Sequence, residues 1–258
     1  MLLVLAALLT RATVRAVQVD VGFDAGRLLT VSSAFGRGTD DAAGANAYWD
    51  LALERVRALP AVNAATIAEQ SPFGNANRVT IFRRAGSRYT IYHNETRADY
   101  FSTLGLRVVR GRTYTADEVA DEAKVAVVSE AIARDFFHGE DPIGQSLERV
   151  TGGSSRIILG VVSNAITARL RELGSATIYE PLRSALTAKM VIRTIGPPEA
   201  TISSVRSALH PLDPRALLTI GPVSERLQEQ LDEPRTLASL AAALAAVALA
   251  LAVVGSTA

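Results

Sequence analysis

Cysteine is absent from this chain of 258 residues, so disulfide staples, thiolate metal sites and cysteine nucleophiles are excluded together. Histidine is nearly absent. His93, His138 and His210 are the only three, and no two of them fall at a metal-ligand spacing along the chain. Each is therefore expected to be structural. Lysine is limited to Lys124 and Lys189, aromatics make up 5% of residues, and 27 basic groups stand against 26 acidic ones. That balance gives no electrostatic reason to bind nucleic acid. No G-x-x-x-x-G-K-[ST] loop and no G-x-S-x-G elbow occurs, which removes the P-loop nucleotide site and the common hydrolase nucleophile. No catalytic residue, cofactor site or metal site is expected.

Charge is also missing from two particular places. From Leu237 to Val254 the chain holds nine Ala, five Leu, three Val and Ser239, with no ionisable group. As a helix this run would reach about 27 Å, close to the roughly 30 Å hydrocarbon core of a bilayer. Its eight Leu and Val residues favour insertion by roughly 2 to 5 kcal/mol. Met1 to Leu9 is apolar too, with the first charge at Arg11. These stretches are expected to be the end of one membrane helix (1–19, with a connector) and the start of another (236–258), both cut short. Membrane lipid is the implied partner.

Between them the pattern is that of a water-soluble α+β domain. Leu28–Phe35 reads as a strand. Tyr48, Ala52, Val56 and Leu59 recur at helical spacing, so residues 41–59 form an amphipathic helix that Pro60 stops. Val62–Ala68 reads as a strand, and 78–84 with 88–96 as a hairpin across Ala85-Gly86-Ser87. A helical turn over 99–104 ends at Gly105, followed by a strand-like 106–109. Residues 124–128 form a short strand, and Ser129 is placed to cap a helix running to Phe136 or Phe137. Strands at 157–162, 190–195 and 217–220 alternate with helices opened by Pro197-Pro198 and by Pro222. The acidic run Asp117, Glu118, Asp121 and Glu122 reads as a solvated loop or helix start.

Four segments carry a likeness to a known family. These are Val21-Gly-Phe-Asp; Tyr100-Phe-Ser-Thr-Leu-Gly-Leu-Arg-Val-Val-Arg-Gly-Arg; Ala126-Val-Val-Ser-Glu-Ala-Ile-Ala-Arg-Asp-Phe-Phe-His-Gly-Glu-Asp-Pro-Ile-Gly-Gln; and Ile158-Leu-Gly-Val-Val-Ser-Asn. In this order they resemble the periplasmic core domain of MacB/FtsX-type ABC transporter permeases, of the large orphan type with a duplicated architecture. The resemblance implies an α+β, two-lobed periplasmic domain at 20–235 with mostly antiparallel sheets. Its second lobe, about 97–182, is inserted in the first, and partial transmembrane helices flank the whole. It further implies a bacterial inner-membrane location with the main domain periplasmic or extracytoplasmic, and a separate cytoplasmic ATPase subunit with the rest of the permease as partners. The implied function is non-enzymatic: coupling ATP hydrolysis to conformational change, or handling substrate in the envelope. The alternative is a membrane-anchored binding or scaffold domain unrelated to transport. The motif positions Gly22, Phe23, Asp24, Tyr100, Phe101, Gly105, Gly111, Arg112, Phe136, Phe137, Pro142 and Gly144 are read as structural. The glycines suit left-handed turns and the aromatics a core.

Overall fold

The computed structural model describes residues 20–34, 41–74, 78–84, 86–150, 154–168 and 176–231. Asp20–Ser224 forms one compact unit, and it carries the sheets and the cleft discussed below. The two apolar runs, 1–9 and 237–254, lie outside the described residues. Among the described residues no helix is long and apolar enough to cross a membrane.

Among the described residues eleven strands alternate with helices. They are β1 (Leu28–Ala34), β2 (Val62–Ala68), β3 (Val79–Arg84), β4 (Ser87–Thr96), β5 (Val108–Gly111), β6 (Val125–Ser129), β7 (Ser146–Arg149), β8 (Ser155–Val162), β9 (Thr177–Pro181), β10 (Lys189–Thr194) and β11 (Leu217–Pro222). The helices are α1 (Ala42–Arg57), α2 (Tyr100–Leu104), α3 (Ala116–Ala120), α4 (Glu130–Phe137) and α5 (Ile202–Leu209). Residues 223–231 are helical as well. The fold is mixed α+β and rich in sheet.

Strands β11-β1-β10-β2 make an antiparallel four-stranded sheet. Helix α1 starts at Asp41, whose carboxylate accepts a 2.7 Å bond from the Gly44 amide, and ends before Pro60. Its apolar stripe (Trp49, Leu53, Val56) packs on this sheet beside Val205 and Leu209 of α5. Each such fully buried aliphatic side chain contributes about 1.5 to 3 kcal/mol of transfer free energy.

The remaining strands close on themselves. In the order β4-β3-β7-β8-β6-β9 each pairs with the next, and β9 returns to β4, giving a six-stranded ring with β5 added to the far half of β8. Two of its pairings, β4–β9 and β6–β8, are parallel. The apolar face of the ring carries Phe82, Ile91, Leu147, Ile158 and Ile178, with Ile132, Phe136 and Phe137 of α4 packed on it.

Several elements differ from the sequence reading for identifiable reasons. Ser129 stands at the N-cap position of α4 but does not cap it. Its Oγ accepts from the Thr177 amide at 3.1 Å, and the Ala131 amide is taken by Asn164 Oδ1 at 2.8 Å. The strand expected at 106–109 starts at Val108, because the Leu106 amide turns back to Phe101 O to complete the left-handed stop at Gly105. The acidic run forms α3, fixed by a reciprocal box in which Thr115 and Glu118 bond each other's backbone amides. Strands β7 and β9 had no counterpart in the sequence reading.

Candidate functional site

The two sheets meet along a thin seam. Strand β4 belongs to the ring, yet its last residue, Thr96, pairs with Ala68 at the end of β2, the one registered pair between the sheets. Two flanking bonds continue the seam, Glu69 N to Glu95 O at 2.8 Å and Arg97 N to Ile67 O at 3.0 Å.

Strand alternation puts His93 and Glu95 on the same face of β4 as Ile91. The parallel register sets Glu180 of β9 beside Glu95. Like charges side by side are unfavourable, so each carboxylate needs its own counter-ion. Glu95 receives Arg183, through its backbone amide at 3.3 Å, Nε at 3.2 Å and Nη2. Glu180 receives Arg149 Nη2 at 2.8 Å and Arg156 Nε at 2.8 Å. His93 Nε2 lies 2.9 Å from Arg149 Nη2 and 3.5 Å from Glu180 Oε1. At the seam itself Glu69 is paired with Arg78. Glu69, His93 and Glu95 each bring an oxygen or nitrogen to within 4.8 Å of the other two.

Burial works to raise the carboxyl of Glu180. The hydrogen bond and charge of His93 and the guanidiniums of Arg149 and Arg156 outweigh it and hold the group at about 2. Its surroundings thus keep Glu180 ionised. The Tyr114 hydroxyl, which donates to Glu180 O at 3.2 Å, is pushed well above its ordinary value by burial.

Outside this cluster, and sharing Arg183 with it, opens a cleft of about 440 Å³. Helix α1 contributes Asp50 and Arg57, the connection from β4 to α2 contributes Arg97 and Asp99, and Glu122 follows α3. Arg97 bonds Asp50 at 2.6 Å, and Arg57 bonds Asp99, which also accepts from Thr66 Oγ1. Three carboxylates and three guanidiniums therefore line one concavity. These side chains can pair with charged groups of either sign.

The twelve motif positions fall in four places, and none of them lines the cleft. Gly22, Phe23 and Asp24 make the entry turn: Gly22 has φ +81°, Phe23 stacks on Phe73 with centroids 6.0 Å apart, and Asp24 accepts from the Gly26 amide at 3.1 Å. Tyr100 and Phe101 are buried beside Tyr179, with Gly105 ending their helix. Gly111 runs against β8, and Arg112 makes a fork to Glu118 at 2.7 and 2.8 Å. Phe136, Phe137 and Pro142 are buried near Gly144, and the Arg84 guanidinium lies 4.1 Å over the Phe137 ring.

The sequence reading passed over Glu69, Glu95, Arg149, Arg156, Glu180 and Arg183. The readable trace was in β4, where the apolar phase that holds Ile91 switches to His93 and Glu95 on the same face. Their partners lie on β7, on β8 and around β9, two of which were not anticipated.

A known structure shares this architecture. The crystal structure of the periplasmic region of MacB from Actinobacillus actinomycetemcomitans matches with a TM-score of 0.55 at 16% identity, over 83% of this chain and 97% of that one. The extracellular domain of the noncanonic ABC-type transporter YknZ from Gram-positive bacteria gives a TM-score of 0.49 at 14% identity, over 72% of this chain and 91% of that one. No curated protein matches the chain. The likeness first read in four short segments extends through the model of a whole family: matched over residues 1–212, the chain belongs to the MacB-like periplasmic core domains.

Proposed function

We propose that this domain is the extracytoplasmic part of an ABC-type transporter permease, and that it relays or responds to movement driven by ATP hydrolysis in a separate cytoplasmic subunit. The observation that carries the reading is the family match over residues 1–212. The two apolar runs of the sequence support it, because each has the composition of a membrane helix.

The geometry of the seam gives the reading a physical form. The two sheets have distinct apolar clusters and share one registered strand pair, with Tyr100 and Phe101 packed across to Tyr179, so a turn about that pair leaves the ladder within each sheet intact. The Arg97–Asp50 and Arg57–Asp99 pairs bridge the cleft beside the seam. Exposed pairs of this kind contribute about 0 to 1 kcal/mol each, so opening the cleft breaks contacts that are individually cheap. In this reading the cleft is where substrate or a partner segment is held and released.

The test uses bacterial cells expressing the chain with a C-terminal tag. Membrane fractionation, protection of residues 20–231 from protease added on the cytoplasmic side, and recovery of an ATPase subunit on the tag are expected together. Recovery in the soluble cytoplasmic fraction would refute the proposal. A membrane-bound domain that never recovers an ATPase would instead favour a scaffold or binding domain unrelated to transport.

A further inference from the structure

Glu69, His93 and Glu95 converge where the two sheets meet. They are 8%, 4% and 6% exposed, and their ligand atoms lie within 4.8 Å of one another. Glu69 directs only one oxygen to Arg78, while Oε2 is buried with no hydrogen-bond partner. A carboxylate oxygen in that condition has lost its hydration and gained nothing in exchange.

We propose that Glu69, His93 and Glu95 bind one divalent first-row transition-metal ion. One imidazole and two carboxylates form the N/O donor set that suits such ions, with further positions left to solvent. The charges allow it. Arg78 and Arg183, the present counter-ions of Glu69 and Glu95, have side chains 56% and 40% exposed and can turn out into water. The two guanidinium charges that leave are matched by the two of the ion, and His93 coordinates as the neutral imidazole, giving up any proton it carries. Arg149 and Arg156, 17% and 5% exposed, stay on Glu180. His93 is already held between Arg149 and Glu180, so little side-chain freedom is lost on coordination.

The location gives the ion a role. Glu69 directly follows β2, whereas His93 and Glu95 belong to β4, and these strands share a single registered pair. A metal here clips the four-stranded sheet to the ring and stiffens the junction between them.

The experiment titrates Zn²⁺ into the full chain, detergent-solubilised, free of affinity tags and stripped with a chelator, in competition with a chromogenic zinc indicator. One equivalent of tight binding is expected, accompanied by a rise in Tm. Glu69→Gln keeps the shape of the site and is expected to weaken binding by at least about 100-fold, beyond the loss typical of residues that only orient a ligand. Glu95→Gln and His93→Gln should do the same, while His210→Gln leaves affinity unchanged. Co²⁺ in place of Zn²⁺ should show visible absorption bands that shift in Glu69→Gln, which keeps the test valid if His93→Gln does not fold. Absence of a one-equivalent site, or binding that survives both glutamate variants, overturns the proposal.

Discussion

Arg156 Nε donates to Glu180 Oε2 across 2.8 Å, with the two side chains 5% and 2% exposed. They sit on β8 and β9, which are separated in the ring by β6, and Arg149 of β7 reaches the other oxygen of the same carboxylate. Three strands are thus drawn to one buried anion. Breaking a buried pair from one side strands a charge, at about 3 to 5 kcal/mol. Arg156→Met and Glu180→Gln are each expected to lower the unfolding free energy by that order, and Tm by roughly 10 °C for a domain of this size. The double variant should lose less than the sum, since neither partner is then left alone. Urea unfolding of the four proteins checks this, and strict additivity would show that the two residues do not act as a pair.

The same carboxylate sets an acid limit. Burial alone would raise it, but His93, Arg149 and Arg156 hold it at about 2, below the ordinary value of 4.5. A depressed carboxyl stabilises the fold fully above about 4.5, and this contribution fades as pH falls toward 2. The shift corresponds to on the order of 3 kcal/mol. Tm measured from pH 7 to pH 2 should therefore fall below about pH 4.5, and Glu180→Gln should flatten that limb. A variant whose acid limb matches the parent's would assign the loss to other groups, such as Glu118, also held at about 2 by Arg112.

Gly111 and Gly144 separate two costs that are usually merged. Both have positive φ, +66° and +77°. A Cβ at Gly111 would stand 2.2 Å from Leu159 O, a backbone atom of the paired strand, whereas one at Gly144 meets nothing within 4 Å. Gly144→Ala is expected to cost about 1 to 2 kcal/mol, the price of a left-handed alanine. Gly111→Ala should cost that and the separation of β5 from β8, at least about 3 kcal/mol in all. Equal losses in thermal unfolding would contradict the contact.

Trp49 is the single tryptophan, fully buried, and its Nε1 donates to Ala185 O at 3.1 Å. Its emission is expected to be blue-shifted in the folded protein and to move red as α1 leaves the sheet, reporting the four-stranded core alone. Trp49→Phe removes both ring volume and a buried donor. A loss of about 2 to 4 kcal/mol is expected, read by circular dichroism during denaturation.

How far the sequence spoke depended on where each element found its partners. Helix α1 was legible because its apolar stripe and its Pro60 stop are both local; the Asp41 cap came only with the structure. Strand β2 was placed at 62–68 as observed, because it is apolar and bounded by turns. Strand β9 was not legible: Thr177-Ile-Tyr-Glu-Pro is fully buried on both faces yet carries a charge, and its neighbours β4 and β6 lie far away in sequence. The closure of the ring rests on that strand, so it was hidden too. The carboxylate–imidazole cluster was hidden for a related reason: Glu69 meets His93 and Glu95 through strand pairing, which leaves no regular spacing along one element. Ser129 shows the reverse case, a good local signal overridden when β9 claimed its hydroxyl.

The placement of β1 bears on how the chain comes together after synthesis. Thr194 Oγ1 donates to Arg27 O across 167 positions of sequence, and both neighbours of β1 are β10 and β11. Strands β3 to β9, by contrast, find all their ring partners among themselves. A chain emerging from its N-terminus can close the ring while β1 still has no strand to pair with. The four-stranded sheet is completed last, its unpaired apolar edge waiting for the final strands, and that interval is where misassembly or chaperone capture would concentrate.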